Sequence, residues 1–197
     1  MAKVAYGDES IRRRGVRKPT YLLGAYIRDD AAPDLASELM ALVGGRKLHW
    51  RDSIPRVQEE ACRIISSHGG GHLIVAARPL AEGVREESAR QQALMTLMTI
   101  LSGGYGVDEL VLERRQQKQD DKDRAVFAVA RKSGMVSADF KLRHEYGTQQ
   151  PMLWVPDQVL GAYGDACMGK TTAWALLEPH VRIETIHPRR WRERRAL

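Results

Sequence analysis

The sequence predicts a single α/β domain, in which a central mixed sheet is flanked by helices. The chain has 197 residues, which suits one domain with a real core. Its hydrophobic fraction of 43% is typical of a globular protein and too high for a disordered one. In the second half, strand-like and helix-like runs alternate, which is typical of a sheet with parallel strands and covering helices.

The predicted strands are short aliphatic and aromatic runs bounded by turn residues. They cover 3–7, 20–27, 72–77, 109–114, 136–146 and 181–186. Residues 10–18 are expected to form a basic loop after the first strand, which ends at Asp8-Glu9. Residues 47–50 are expected to form a short extended piece.

The predicted helices have apolar residues spaced three and four positions apart. They cover 33–43, 54–68, 82–101, 120–132 and 156–167. Pro33, Pro55 and Pro156 stand near the starts of three of them, where proline is well tolerated. Asp120 or Asp121 is expected to cap the fourth helix.

Composition excludes several classes of protein. The longest uncharged stretch, 91–107, is shorter than the roughly 20 apolar residues that cross a membrane, and the N-terminus has no apolar signal core. Two cysteines, Cys62 and Cys167, are too few for a disulfide framework or a four-thiolate zinc site. We therefore expect a cytoplasmic protein without a membrane partner.

The net charge of +6 lies in two short segments. Residues 11–18 contribute +5 and residues 189–197 contribute +4, which leaves −3 on the remainder. Such segments suit contact with the phosphate backbone of nucleic acid, although a solvated loop and a frayed terminus have the same composition. The residues assigned to this contact are Arg12, Arg13, Arg14, Arg17, Lys18, Arg189 and Arg190, with Trp191 available to stack on a base.

Three carboxylates stand at informative positions. Asp8 and Glu113 end predicted strands, and Asp157 begins the last long helix. Ligands of open α/β sheets gather at the carboxyl ends of strands, so the three carboxylates are candidates for one site. Gly161 and Gly164 share a helical face with Asp157 and would let the helix approach the sheet closely. Converging carboxylates repel one another and suit Mg²⁺ or Mn²⁺.

A plainer interpretation stands beside this one. Asp157 would stabilise a helix dipole, Asp8 would begin a loop, and Glu113 would pair with a nearby arginine. The spacing alone favours this plainer interpretation. Asp121 and Asp123 are likewise interpreted as a helix cap and helix-surface residues.

Four short motifs together resemble the DUF3800 family. They are Val-Ala-Tyr-Gly-Asp8-Glu9-Ser10, Tyr-Leu-Leu-Gly-Ala at 21–25, Lys47-Leu-His49-Trp50, and Asp157-x-x-x-Gly161. Two positions depart from the family pattern, since Trp154 replaces the usual glutamine and Ile11 replaces the usual glycine. The resemblance spans residues 1–168 and implies a ribonuclease H-like fold.

The predicted element order agrees with that fold, with residues 31–68 inserted as two helices between the second and third strands. We expect one domain over 1–187 and a basic tail over 188–197. Asp8, Glu113 and Asp157 then fall where such folds hold metal, and the glutamate on the fourth strand resembles the Holliday-junction-resolvase branch. Glu9 is a second-tier ligand, because it points the opposite way on an extended strand.

Lys47 and His49 are interpreted as contacts to the scissile phosphate or as a proton donor, or else as a buried polar pair beside Trp50. The favoured function is a metal-dependent nuclease, with Mg²⁺ or Mn²⁺ held by the three carboxylates. The alternative is a catalytically silent module that binds nucleic acid or protein. A homodimer is kept as one form of assembly.

Overall fold

Residues 2–28, 34–80 and 82–189, which the computed structural model describes, contain one mixed sheet of six strands. The strands are β1 (Val4–Arg12), β2 (Thr20–Ile27), β3 (Gly71–Ala77), β4 (Glu109–Glu113), β5 (Lys141–Glu145) and β6 (Val181–Ile186). Their order in the sheet is β5-β4-β1-β2-β3-β6. The pairs β1–β2 and β2–β3 are antiparallel, and the other three pairs are parallel.

Helices cover both faces of this sheet. They are α1 (Leu35–Leu42), α2 (Pro55–Ser67), α3 (Glu86–Tyr105), α4 (Gln117–Lys132), α5 (Trp154–Ala166) and α6 (Thr172–Leu177). The helices α3 and α4 pack on one face, and α1, α2, α5 and α6 pack on the other. The predicted pair of inserted helices, α1 and α2, lies between β2 and β3 as expected. No helix among the described residues is long and apolar enough to cross a membrane.

The central strand β2 explains why the sheet has a core on each side. All eight of its residues are buried. Because side chains alternate along a strand, Tyr21 and Leu23 pack towards α3, whereas Leu22 and Tyr26 pack towards α5 and the inserted helices.

The first strand is longer than predicted. It pairs with β2 from Ala5 through Arg12, so Asp8 lies within the strand and not at its end, and the expected loop 10–18 is reduced to the residues after Arg12. The reason is the hairpin register, since the long β2 supplies a partner for every residue of β1 over this span.

The structure also corrects the bounds of β5 and α4 and adds one helix. Within 136–146 only Lys141–Glu145 is a strand, because β5 pairs with β4 alone and β4 is five residues long. Helix α4 begins earlier, since Gln116 and Gln119 form the capping box and neither Asp120 nor Asp121 caps the helix. Helix α6 was not predicted.

Candidate functional site

Asp8, Glu113 and Asp157 line one cavity of about 220 Å³. The register of the parallel pair β1–β4 joins Gly7 to Leu112, so Asp8 and Glu113 occupy the next positions on neighbouring strands. Asp157 reaches the same cavity from the first turn of α5. Lys47 and His49, from the segment before the one-turn 3-10 helix Trp50–Asp52, also line it.

Glycines allow α5 to lie close to its neighbours. A Cβ on Gly161 would stand 2.1 Å from Cγ of Trp50, and a Cβ on Gly24 of β2 would stand 2.9 Å from a methyl group of Leu160. Only glycine fits at these two positions, because it has no Cβ. The predicted close approach of α5 is therefore present, although Gly161 faces Trp50 and not the sheet itself.

Asp157 is held in place by backbone and side-chain donors. Its Oδ2 accepts hydrogen bonds from the amide of Trp50 at 2.8 Å and from Nε2 of Gln158 at 3.1 Å. His49 Nδ1 lies 3.6 Å from the same oxygen. Burial raises the pKa of Asp157, and the amide of Trp50, His49 and Lys47 only partly oppose this effect.

Asp8 carries the strongest electrostatic penalty in the cavity. Burial raises its pKa well above the ordinary value, and repulsion from Asp157 and Glu113 raises it further, while Lys47 and Arg90 oppose the change. Its Oδ1 accepts a hydrogen bond from the backbone amide of Glu9 at 2.7 Å. Burial and the two neighbouring carboxylates therefore disfavour the charged form of Asp8.

Lys47 and His49 contact different carboxylates and not each other. The Nζ of Lys47 donates a hydrogen bond to Oε1 of Glu113, and both side chains are about three-quarters buried. The loop after β5 closes over this pair, because a Cβ on Gly147 would stand 2.8 Å from the same oxygen and 3.0 Å from Cε of Lys47. The lysine thus supplies a cation inside the cavity.

Glu9 points away from Asp8, as the alternation of a strand requires. Its carboxylate accepts hydrogen bonds from Arg90 and from the hydroxyl of Tyr21, although it also borders the cavity. Glu9 therefore belongs to an ion-pair network on the α3 side of the sheet.

That network was not predicted from the sequence. Arg90 on α3 holds Asp123 with two hydrogen bonds, Nε to Oδ1 at 3.0 Å and Nη2 to Oδ2 at 2.7 Å. His144 and Arg115 contact the same carboxylate at 3.2 Å and 3.1 Å. Burial raises the pKa of Asp123, but His144, Arg90 and Arg115 more than offset burial and hold that pKa below its ordinary value.

The surface position expected for Asp123 is therefore wrong, because its side chain is fully buried. Asp121 is exposed and pairs with Arg124, as a helix-surface residue would. The sequence feature that could have indicated this buried network is Arg90, a charged residue within the longest predicted helix.

The spacing of ligand atoms distinguishes two acidic groups. Among the described residues, only Asp120, Asp123 and His144 bring three ligand-type atoms within 4.8 Å of one another. Both oxygens of Asp123 already accept from arginines, so we interpret this group as an ion-pair cluster. Asp8, Glu113 and Asp157 offer only oxygen donors, which fits Mg²⁺ or Mn²⁺, but their oxygens are spread wider than that limit.

The first basic segment divides into packed and exposed residues. Arg12 is on β1 and only 23% exposed, with Nη2 3.4 Å from the carbonyl of Gly161 and 3.8 Å from Asp165. Arg13 pairs with Glu86. The exposed arm that was expected thus excludes Arg12, which packs where Gly164 leaves room. The remaining assigned residues of this segment, Arg14, Arg17 and Lys18, are exposed.

The second basic segment is described only at its start. Arg189 is exposed, and its backbone amide donates to Oε1 of Gln92 on α3 at 3.1 Å. Arg190 and Trp191 lie outside the described residues.

No protein-family model and no curated protein sequence matches the chain. Solved structures do. The ribonuclease H2 of Pyrococcus horikoshii OT3 aligns with a TM-score of 0.56 and 10% identity, over 85% of this chain and 74% of that one. Bst-RNase HIII in complex with Mn²⁺ aligns with a TM-score of 0.49 and 8% identity, over 90% of this chain and 54% of that one.

The fold is ribonuclease H-like. The mixed six-stranded sheet with helices on both faces and the alignment with ribonuclease H2 agree on this class. At 10% identity the likeness concerns the fold, and the chemistry must be argued from the residues of this chain.

Proposed function

We propose that the protein is a metal-dependent nuclease, or a related phosphoryl-transfer enzyme, acting on the phosphodiester bonds of nucleic acid. The observation that supports the proposal most strongly is the convergence of Asp8, Glu113 and Asp157 from three different elements on one solvent-accessible cavity. The pKa values of Asp8 and Asp157 are raised chiefly by burial and further by the neighbouring carboxylates, and a cation bound between these carboxylates would favour their charged forms.

Asp8, Glu113 and Asp157 would hold Mg²⁺ or Mn²⁺, and Glu9 is a weaker candidate because Arg90 and Tyr21 already occupy its carboxylate. Such an ion activates water and neutralises charge on a transferring phosphate. The three carboxylates must move closer together to share it. Lys47 must also release Glu113.

Two residues of the chain would act on the substrate. Once Glu113 is released, the ammonium group of Lys47 is free to bind an oxygen of the scissile phosphate and stabilise its developing charge. His49 borders the cavity with 36% of its side chain exposed, while its Nδ1 is buried and faces Asp157. A histidine in this position suits transfer of a proton to the leaving oxygen.

The exposed part of the first basic segment would hold the phosphate backbone of the substrate. It comprises Arg14, Arg17 and Lys18, with Arg13 available if its pairing with Glu86 opens. Membership of the DUF3800 family belongs to the same proposal and rests on the order of the four motifs. The domain bounds 1–187 and 188–197, the homodimer and the cytoplasmic location stay predictions from the sequence.

Cleavage assays test the proposal. The purified protein is incubated with labelled single-stranded and double-stranded DNA and RNA, with Mn²⁺, with Mg²⁺ and with a chelator. We expect cleavage only with a metal ion, loss of cleavage in Asp8→Asn and Asp157→Asn, and no loss in the control Asp121→Asn, whose carboxylate is exposed and paired with Arg124. Equal cleavage by wild type and Asp8→Asn would indicate a contaminating nuclease and reject the proposal.

A second function has two observations in its favour. The ion pair between Lys47 and Glu113 and the wide spacing of the carboxylates suit a site that functions without metal. A catalytically silent module would bind nucleic acid through its basic segments, with strong salt dependence and no requirement for a divalent ion. The same assays, carried out beside a binding measurement, separate the two functions.

A further inference from the structure

Among the Phe, Tyr and Trp side chains in the described part of the chain, only Tyr146 is mostly exposed. Its exposed fraction is 51%, whereas the other described Phe, Tyr and Trp rings are buried or half-buried. A single exposed apolar residue is ordinary on a protein surface and means nothing by itself. Tyr146 is distinguished by its position next to the carboxylate cavity and by the arginine that contacts its ring.

Tyr146 stands at the rim of the carboxylate cavity. It directly follows β5, and the next residue, Gly147, packs against Glu113 and Lys47. Arg114, which directly follows β4, lines the cavity and lies under the ring, with Cζ 5.0 Å from the ring centroid. The exposed ring and the proposed site are thus joined by neighbouring residues.

The backbone around Tyr146 is fixed on both sides. The amide of Arg114 donates to the carbonyl of Glu145 at 2.8 Å, which extends the β4–β5 ladder by one bond. The carbonyl of Tyr146 accepts from the amides of Gln149 and Gln150, both at 2.9 Å. The carbonyl of Gly147 accepts from Nε1 of Trp154 at 2.7 Å. A ligand that binds the ring therefore has little ordering of the backbone to overcome.

The side chain of Arg114 is anchored but still accessible. Its Nη2 donates to the carbonyl of His144 at 3.1 Å, its Nε lies 3.9 Å from Oδ2 of Asp120, and 36% of the side chain is exposed. The buried carboxylate of Asp120 therefore offsets part of the charge of Arg114, whereas the nearby carboxylate of Glu145 is engaged by Arg143 at 2.9 Å. One face of the Tyr146 ring thus meets a cation, and half of its surface is open to solvent.

An open aromatic face beside a guanidinium group suits a nucleotide. Any of the bases can stack on the ring, because every base has a flat π-face. The guanidinium group attracts the adjoining phosphate. A base inside an intact duplex has both faces covered by its neighbours and cannot use the ring. The chemistry therefore favours a base that is unpaired and unstacked.

We propose that Tyr146 and Arg114 form a stacking platform for one unpaired nucleobase at the rim of the carboxylate cavity. The inference rests on the proposed function and deepens it, because it assigns the substrate class to single strands, loops and frayed ends. Tyr146 would position the strand and take no part in the chemical step.

A binding measurement that needs no cleavage tests the platform. The parent is Asp8→Asn, with Ca²⁺ in place of Mg²⁺, and the probe is a fluorescent single-stranded octanucleotide that carries one 2-aminopurine. Tyr146→Ala should weaken binding about tenfold and reduce the quenching of 2-aminopurine, because both need the ring. Tyr146→Phe keeps the ring and should bind like the parent. Ile183→Ala is the control, since Ile183 is exposed on β6 at the opposite edge of the sheet.

The outcomes separate the platform from the nuclease. If Tyr146→Ala binds the octanucleotide as tightly as the parent, the platform is wrong, whether or not the wild type cleaves. If Tyr146→Ala binds more weakly while the wild type cleaves nothing, the platform stands and the nuclease is wrong. If the parent binds a blunt duplex as tightly as the single strand, and Tyr146→Ala weakens both equally, the assignment to unpaired bases is wrong. If the parent binds no single-stranded nucleic acid, the platform is rejected, and cleavage by the wild type decides the nuclease separately.

Discussion

The ammonium group of Lys47 is hydrogen-bonded to Oε1 of Glu113 inside the cavity that Asp8 and Asp157 share. These two residues are 66 positions apart in the chain, and the loop containing Gly147 covers both. The lysine therefore supplies the positive charge that the buried carboxylates need when no metal ion is bound. A divalent ion that binds the same carboxylates must compete with it.

Substitution of Lys47 by methionine tests this competition. We expect Lys47→Met to bind Mn²⁺ more tightly, on the order of tenfold, because a neighbouring positive charge is removed. Titration calorimetry with Mn²⁺ measures the effect, and Lys122→Met is the control, because Lys122 pairs with Glu87 on the surface. Unchanged or weaker Mn²⁺ binding by Lys47→Met would show that Lys47 does not occupy the metal position.

The pH dependence of stability tests the electrostatics of the cavity. Asp8 and Asp157 have raised pKa values in the folded state, so the folded protein binds more protons than the unfolded chain above the ordinary pKa of 3.8. The free energy of unfolding of the metal-free protein should then fall as pH rises from that value through the raised pKa values. Urea unfolding at a series of pH values measures this slope.

The matched variant for this pH series is Asp8→Asn, which should flatten the slope and stabilise the metal-free protein. Added Mg²⁺ should offset the loss of stability in the wild type and not in the variant, because only the wild type has the full set of carboxylates. A slope that is the same in Asp8→Asn and in the wild type would show that Asp8 is not the strained group.

The packing of α5 against Trp50 is tested at Gly161. Gly161→Ala places a methyl group 2.1 Å from the indole and should destabilise the protein by about 1–3 kcal/mol. It should also disturb the hydrogen bond between Trp50 and Asp157. Gly103→Ala is the matched control, because nothing lies within 4 Å of a Cβ there and Gly103 is in α3. That control should leave stability unchanged or raise it by up to about 1 kcal/mol. Equal effects in thermal unfolding would contradict the packing.

The buried network on the other face is tested at Arg90. Arg90→Met leaves Asp123 and Glu9 without their main cation and should cost about 3–5 kcal/mol of stability. The control Arg124→Met removes an exposed partner of Asp121 and should change stability by less than about 1 kcal/mol. Chemical denaturation compares them, and a small loss in Arg90→Met would show that the network contributes little.

Asp123 also has a pH dependence, of the opposite sign to that of Asp8. Its pKa is held below the ordinary value of 3.8, so the stability it contributes is present above that pH and is lost as the pH falls further. The acid limb of the stability curve should therefore shift in Asp123→Asn. The change in the free energy of unfolding above pH 3.8 depends on Asp8 and Asp157 instead.

The sequence predicted most of the elements that form the candidate site, although Asp8 lies within β1 and not at its end. Thr20–Ile27 matches its predicted strand, because a short run that is apolar on both faces is typical of a central strand covered on both sides. The convergence of Asp8 and Glu113 follows from the parallel pairing of β1 with β4, whereas the sequence predicted only that both carboxylates could lie at one edge of the sheet. The place of Asp157 followed from the helix that begins beside Pro156.

Other features depend on partners that are distant in sequence. Asp123 appeared to be a surface residue because its cations, Arg90 and Arg115, come from other elements. Arg12 appeared to be part of a free arm because it packs against Gly164 of α5, which is distant in sequence and leaves room because it has no side chain. Lys47 and Glu113 are distant in sequence and come together only in the folded protein.

The central claim is that Asp8, Glu113 and Asp157 together hold a divalent ion. The most direct measurement is anomalous diffraction from crystals of the protein soaked in Mn²⁺. We predict an anomalous peak between these three side chains, with Lys47 turned away from Glu113, and no peak in crystals of Asp157→Asn. A wild-type crystal without that peak, or with its only peak at Asp120, Asp123 and His144, would contradict the claim.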